Sequence, residues 1–158
     1  MGKDIVRLVV SIVVCQLAGF IGSLFTRSSI PTWYASVRKP SFNPPNWIFG
    51  PVWTTLYLLM GIAAFLVWRQ GLDNKAVRLA LLLFIIQLVL NTLWSIIFFG
   101  MRSLSGGFAD IAALWIMIVL TTVSFFRLSA VAGVLMVPYL LWVTFASVLN
   151  FAIWRLNS

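Results

Sequence analysis

Apolar residues run nearly unbroken over residues 5–25, interrupted only by Arg7, Ser11, Gln16 and Ser23. As a helix, about 20 residues rise roughly 30 Å, the thickness of bilayer hydrocarbon. Cys15, Ala18, Gly19 and Gly22 recur at helical spacing and predict a small-residue face that a neighbouring helix can approach closely. That face and the length argue for a retained first span (about 5–26) over a cleaved signal peptide with its shorter apolar core. The second span is predicted over about 46–69, with Gly61, Ala63 and Ala64 as another small patch, and Gly71, Asp73 and Asn74 break the chain after it. A third, about 77–99, carries Gln87, Asn91, Trp94 and Phe98 at i, i+4, i+7 and i+11, hence on one face. Residues 103–107 read as a short turn. A fourth span (about 108–126) follows, with Asp110 suited to its N-terminus. The fifth, about 130–154, sets Tyr139, Trp142, Ala146 and Asn150 on one face and contains Pro138, which predicts a loosened or kinked helix.

These five spans predict an all-α integral membrane protein. It is a single domain over 1–158, a five-transmembrane-helix bundle whose two ends lie on opposite sides. The chain between the first two spans is different in kind. Residues 33–57, WYASVRKPSFNPPNWIFGPVWTTLY, hold Pro40, Pro44, Pro45 and Pro51 among aromatic rings and the cations Arg38 and Lys39. Each proline fixes φ near −65° and pushes its predecessor toward extended backbone, so helix is not expected until after Pro45. The expectation is a stiff Pro/Trp-rich cap that runs into the second span.

Composition agrees with the pattern. Hydrophobic residues make up 62% of the chain and charged ones 9%, with a mean hydropathy of +1.06, where a soluble domain carries roughly 25% charge. The formal charge of +8 forms no basic stripe, so anionic lipid head groups or a carboxylate-bearing ligand are better expected partners than nucleic acid. Lys and Arg are divided almost evenly between the two sides, so charge alone does not orient the protein. Setting Arg38 and Lys39 aside for a ligand favours the N-terminal side as cytoplasmic. A single cysteine, Cys15, excludes an intrachain disulfide, and the absence of histidine excludes a His-ligated metal site.

An amide left unsatisfied in hydrocarbon costs several kcal/mol, so Gln87, Asn91 and Asn150 are expected to face the bundle interior. Two uses are open to them. They can bond helix to helix, or they can line a cavity with Trp53, Tyr57, Trp94, Tyr139 and Trp142, a few polar groups in an aromatic pocket of the kind that takes small molecules. Of the eight tryptophans, Trp68 and Trp154 lie at span ends as interfacial residues do.

WYASVRKPSFNPPNWIFGPVWTTLYLLMG at 33–61, LNTLWSIIFFG at 90–100 and PYLLWVTFASVLNFAIWRLN at 138–157 resemble the translocator-protein family, over nearly the whole chain. Its members are the bacterial tryptophan-rich sensory proteins (TspO) and the mitochondrial peripheral-type benzodiazepine receptor. The resemblance implies a five-helix bundle, often a homodimer, with the first loop over a pocket for porphyrins such as protoporphyrin IX. In animal members, cholesterol and benzodiazepine-type ligands bind as well. It implies pocket residues at Trp33, Tyr34, Trp53, Trp94, Trp142, Ala146 and Asn150, and a multi-pass protein of a bacterial cell membrane. Trp53 and Trp142 match tryptophans linked in some bacterial members to light-dependent porphyrin breakdown. Two positions depart from the animal pattern: Phe151 replaces a tyrosine of the sterol motif, and Gly106 or its neighbour replaces a tryptophan.

A porphyrin is mostly apolar surface, on which aromatic rings stack, and its propionates need a cation or a wet rim. Arg38 and Lys39 of the cap are the expected partners for those carboxylates. No cofactor is obligatory on this reading. Isolated Cys15 and methionines offer iron no ligand set, so free porphyrin is expected over haem. Three function classes follow: a receptor or sensor regulating the handling of tetrapyrroles and sterol-like lipids, a transporter of such ligands, and a photo-oxidative enzyme in which Trp53 and Trp142 act on the bound pigment. The sequence offers no inverted repeat for transport, and no nucleophile, acid pair or histidine for ordinary catalysis.

Overall fold

The computed structural model describes all 158 residues. Helix α1 spans Gly2–Ser29, α2 Trp33–Ser36, α3 Asn46–Trp68, α4 Lys75–Ser95, α5 Leu104–Leu128 and α6 Ala130–Leu156, with no strand. Five of them, all but α2, are long and apolar enough to cross a membrane. Around the bundle the order is α1, α3, α6, α5, α4. The ring closes because α1 packs against both α3 and α4, and α6 against both α3 and α5. Lipid is as apolar as the outward residues, so Val9, Val13, Leu82, Val89 and Leu141 stay exposed without penalty.

The small-residue faces do what their spacing predicts. Gly61 of α3 meets the backbone of Ile12, Gly19 of α1 meets the ring of Tyr57, and Gly22 meets Ser95. Below these contacts, toward the N-terminal side, the interior is solid: Met60, Val67, Phe125 and Met136 have no exposed surface, and Phe84 stacks on Phe125 with centroids 5.7 Å apart.

Helix ends depart from expectation in instructive ways. α1, at Gly2–Ser29, extends beyond the expected span at both ends, with Arg7 paired to Asp4 at 3.3 Å and the Thr26 hydroxyl donating to the carbonyl of Gly22 within the helix. Residues 103–107 are not a free turn. The Ser103 hydroxyl accepts the amide of Gly106 and so starts α5 at Leu104, which puts Asp110 in the second turn and not at the helix start. One oxygen of Asp110 is buried without a hydrogen bond. α6 runs as one helix through Pro138. α4 ends in a widened turn, Ile96–Gly100, where the amide of Met101 bonds the carbonyl of Ile96, five residues back.

The cap is less extended than its prolines suggest. Between Pro31 and Pro40 the chain has room for one helical turn, Trp33–Ser36, which buries Tyr34 against Phe98 and Phe99. Burial pushes the Tyr34 phenol up to about 12, against a smaller lowering by its hydrogen bond to Asn43. The cap is latched to the end of α6. Asn157 accepts the amide of Arg38 at 3.0 Å and donates to its carbonyl at 2.9 Å. Replacing Asn157 by alanine removes both bonds, about 1–2 kcal/mol of local stability, and is expected to speed amide exchange at Arg38 roughly tenfold.

Candidate functional site

A cavity of about 420 Å³ occupies the half of the bundle beneath the cap, within the roughly 300–1,000 Å³ typical of small-molecule sites. Every long helix contributes to its wall, and Ile30 and Tyr34 roof it. Its location follows from the sequence of small and large residues along α1 and α3: the two helices touch at Gly61 and Gly19, while above them Ser23, Gly50 and Trp53 leave space between the backbones.

Of the thirteen expected binding residues, Tyr34, Trp53, Tyr57, Asn91, Trp94, Trp142, Ala146 and Asn150 line this cavity together. Trp53 stacks on Tyr57 with centroids 5.6 Å apart, Trp94 stacks on Phe98 at 4.9 Å, and Trp142 meets Phe49 edge-on at 6.2 Å. Trp53 and Trp142 share the one chamber.

Five others lie outside the lining. Gln87 and Tyr139 sit one layer deeper, each with no exposed surface. Their role is to hold the floor. Tyr57 donates its hydroxyl to Asn91, Asn91 donates to the Tyr139 hydroxyl at 2.8 Å, and Tyr139 donates to Gln87 at 2.8 Å. The amide of Gln87 rests on the Met60 sulfur at 3.8 Å. The chain of bonds joins α3, α4 and α6, and it satisfies polar groups that lipid cannot. Both uses foreseen for the buried amides therefore occur in one network, with Asn91 at the boundary. Trp33 packs edge-on against Phe98 at 5.7 Å and stops short of the chamber. Arg38 is exposed beside the α6 latch. Lys39 is spent on the cap itself, donating to the carbonyl of Val37 at 2.8 Å and lying 4.5 Å over the Tyr34 ring. Neither cap cation is among the residues that line the chamber.

Sequence reasoning missed several wall residues, among them Asn46, Phe49, Ser95, Ile111, Leu114 and Arg27. Arg27 is the one with a signal: Gly19, Ser23 and Arg27 repeat every four residues along α1, a polar and small stripe ending in a cation.

Chemically the wall is a set of ring faces among which the deeper amides, Asn91 and Asn150, are already engaged. The Trp94 indole N–H donates to Asn150 at 3.0 Å, and Asn150 donates to the Leu104 carbonyl at 3.0 Å. No cluster of three or more His, Cys, Asp or Glu side chains stands ready for a metal.

The family model described as TspO/MBR family matches residues 11–155, which takes in every helix that lines the cavity. The chain belongs to the TspO/MBR family. It is 49% identical over 155 residues to the tryptophan-rich protein TspO of Archaeoglobus fulgidus, covering 98% of this chain and 99% of that one. It is 48% identical over 157 residues to the protein of the same name from Chlorobaculum tepidum, covering 99% of each. With the human translocator protein it shares 41% over 144 residues, covering 90% of this chain and 85% of the human one. As a TspO/MBR member with five apolar helices, the protein is a multi-pass integral membrane protein.

Proposed function

We propose that this chain is a membrane receptor or sensor whose ligand is a flat, largely apolar tetrapyrrole such as protoporphyrin IX, held in the aromatic chamber beneath the cap. The observation that supports this most is the chamber's wall: Trp53, Trp94 and Trp142 face one space, and the amides of Asn91 and Asn150 and the indole N–H of Trp94 are bonded to protein. Such a wall rewards apolar area and ring stacking, at about 25 cal/mol per Å² buried, and asks little of a ligand's polar groups. The names of relatives, a tryptophan-rich sensory protein among them, fit the receptor or sensor role. Regulation of porphyrin handling is the corresponding biological reading.

Titration with protoporphyrin IX is expected to quench the tryptophan fluorescence strongly, more than haem or cholesterol does, and Trp142→Phe is expected to remove part of that quenching. An indole signal unchanged by all three ligands would overturn the proposal. A photo-oxidative reading draws on Trp53 and Trp142 lining the same space. Illumination of the porphyrin complex should then yield a product that Trp142→Phe fails to make; bleaching at equal rates in both proteins excludes it.

A further inference from the structure

The lining residues that are also exposed belong to only two helices: Phe20 and Arg27 on α1, and Asn46, Gly50 and Thr54 on α3. Lining residues from α4, α5 and α6 are all at least partly buried. The chamber therefore meets its surroundings along the seam between α1 and α3. Below, the seam is sealed. A Cβ on Gly61 would stand 2.8 Å from the Ile12 Cα, and the Gln16 amide donates to the Thr54 carbonyl at 3.1 Å. Above that tie the seam gapes, and a Cβ on Gly50 would meet nothing within 4 Å.

One charged side chain lines the chamber, Arg27, at the cap end of this slot. It makes no ion pair, since the only one in the protein joins Arg7 and Asp4, and its guanidinium has no hydrogen-bond partner. Its side of the bundle offers it no acid beyond Asp110, which belongs to α5; Asp4 and Asp73 lie at the other side. The cap cations are no substitute, for the reasons of geometry given above.

We infer that the slot between α1 and α3 is a side entrance from the lipid, and that Arg27 is the carboxylate-binding residue of the site. The ligand class is an apolar body carrying a carboxylate, which slides in from the bilayer with its acid left at the interface on the guanidinium. Only the identity of the apolar body rests on the tetrapyrrole reading. A forked guanidinium suits a carboxylate in two-point contact. Because Arg27 is exposed, the pairing is screened, and its contribution falls with added salt.

The test uses the full chain in nanodiscs of phosphatidylcholine, titrated with protoporphyrin IX and with its uncharged dimethyl ester. Arg27→Ala is expected to weaken the diacid about fivefold and leave the ester unchanged, with Arg27→Lys recovering part of the loss and high salt erasing the difference. Gly50→Leu is expected to slow association of both ligands from the lipid. An Arg27→Ala protein that treats diacid and ester alike overturns the pairing, and so does a loss seen only in discs of anionic lipid, which would assign Arg27 to head groups. Unchanged association in Gly50→Leu overturns the side entrance. A wild type quenched by neither porphyrin overturns the tetrapyrrole reading itself, a result distinct from these; a fatty acid whose binding still depends on Arg27 would then uphold the carboxylate site alone.

Discussion

Replacing Gly61 by valine is expected to lower the melting temperature of the bundle by about 10 °C. The glycine Cα lies so close to α1 that an added Cβ would sit 2.8 Å from the Cα of Ile12 and 3.1 Å from its amide nitrogen. Those atoms are backbone, so no rotamer change relieves the clash; one helix must move. Overpacking of this sort costs typically 1–3 kcal/mol, and a backbone obstacle belongs at about the upper end. For a chain of this size each kcal/mol is worth roughly 2–4 °C. Gly50→Ala is the matched control, since its Cβ meets nothing and a helix favours alanine over glycine. Melting followed by tryptophan fluorescence in detergent would decide; equal midpoints for Gly61→Val and the wild type would show that α1 and α3 are not held at this contact.

Asn91→Leu is expected to cost about 2–3 kcal/mol and to weaken ligand binding at the same time. The amide stands at the centre of the floor network, accepting from Tyr57 and donating to Tyr139. Leucine leaves the Tyr57 hydroxyl buried with no acceptor, a penalty of about 1–3 kcal/mol in itself. Tyr57 is also the ring on which Trp53 stacks, so a displaced Tyr57 disturbs the chamber wall. Removing the orphaned hydroxyl should repair part of the damage: the double variant Tyr57→Phe with Asn91→Leu is expected to be more stable than Asn91→Leu alone. If the two losses simply add, the hydroxyl and the amide do not depend on each other, and the network contributes nothing as a unit.

The spans were legible because lipid imposes one requirement on every turn of helix, and 62% hydrophobic residues leave the interruptions easy to see. The inward faces of α4 and α6 were legible for the same reason: Gln87, Asn91 and Asn150 have nowhere else to go. What periodicity could not show was depth. Gln87 and Asn91 lie on one face, yet one is a turn below the chamber and the other borders it. The cap was legible in its prolines but not in its contacts. The backbone of Arg38 is fixed by Asn157, far away in sequence, and the Lys39 ammonium lies over the ring of Tyr34. Arg27 ends a visible small and polar stripe along α1, yet only the bundle reveals that the gap beside it opens into the interior.

The widened turn at the end of α4 has a consequence for chain length. An ordinary α-helical turn over the same stretch would need one residue fewer. As built, both rings are buried, at 2% and 8% exposure. Deleting one residue between 96 and 100 should therefore leave Trp94 on one flank and Ser103 on the other in their present directions. A deletion in the regular turns upstream would instead rotate the floor amides out toward lipid, so this is the place in the membrane where the protein can tolerate being one residue shorter.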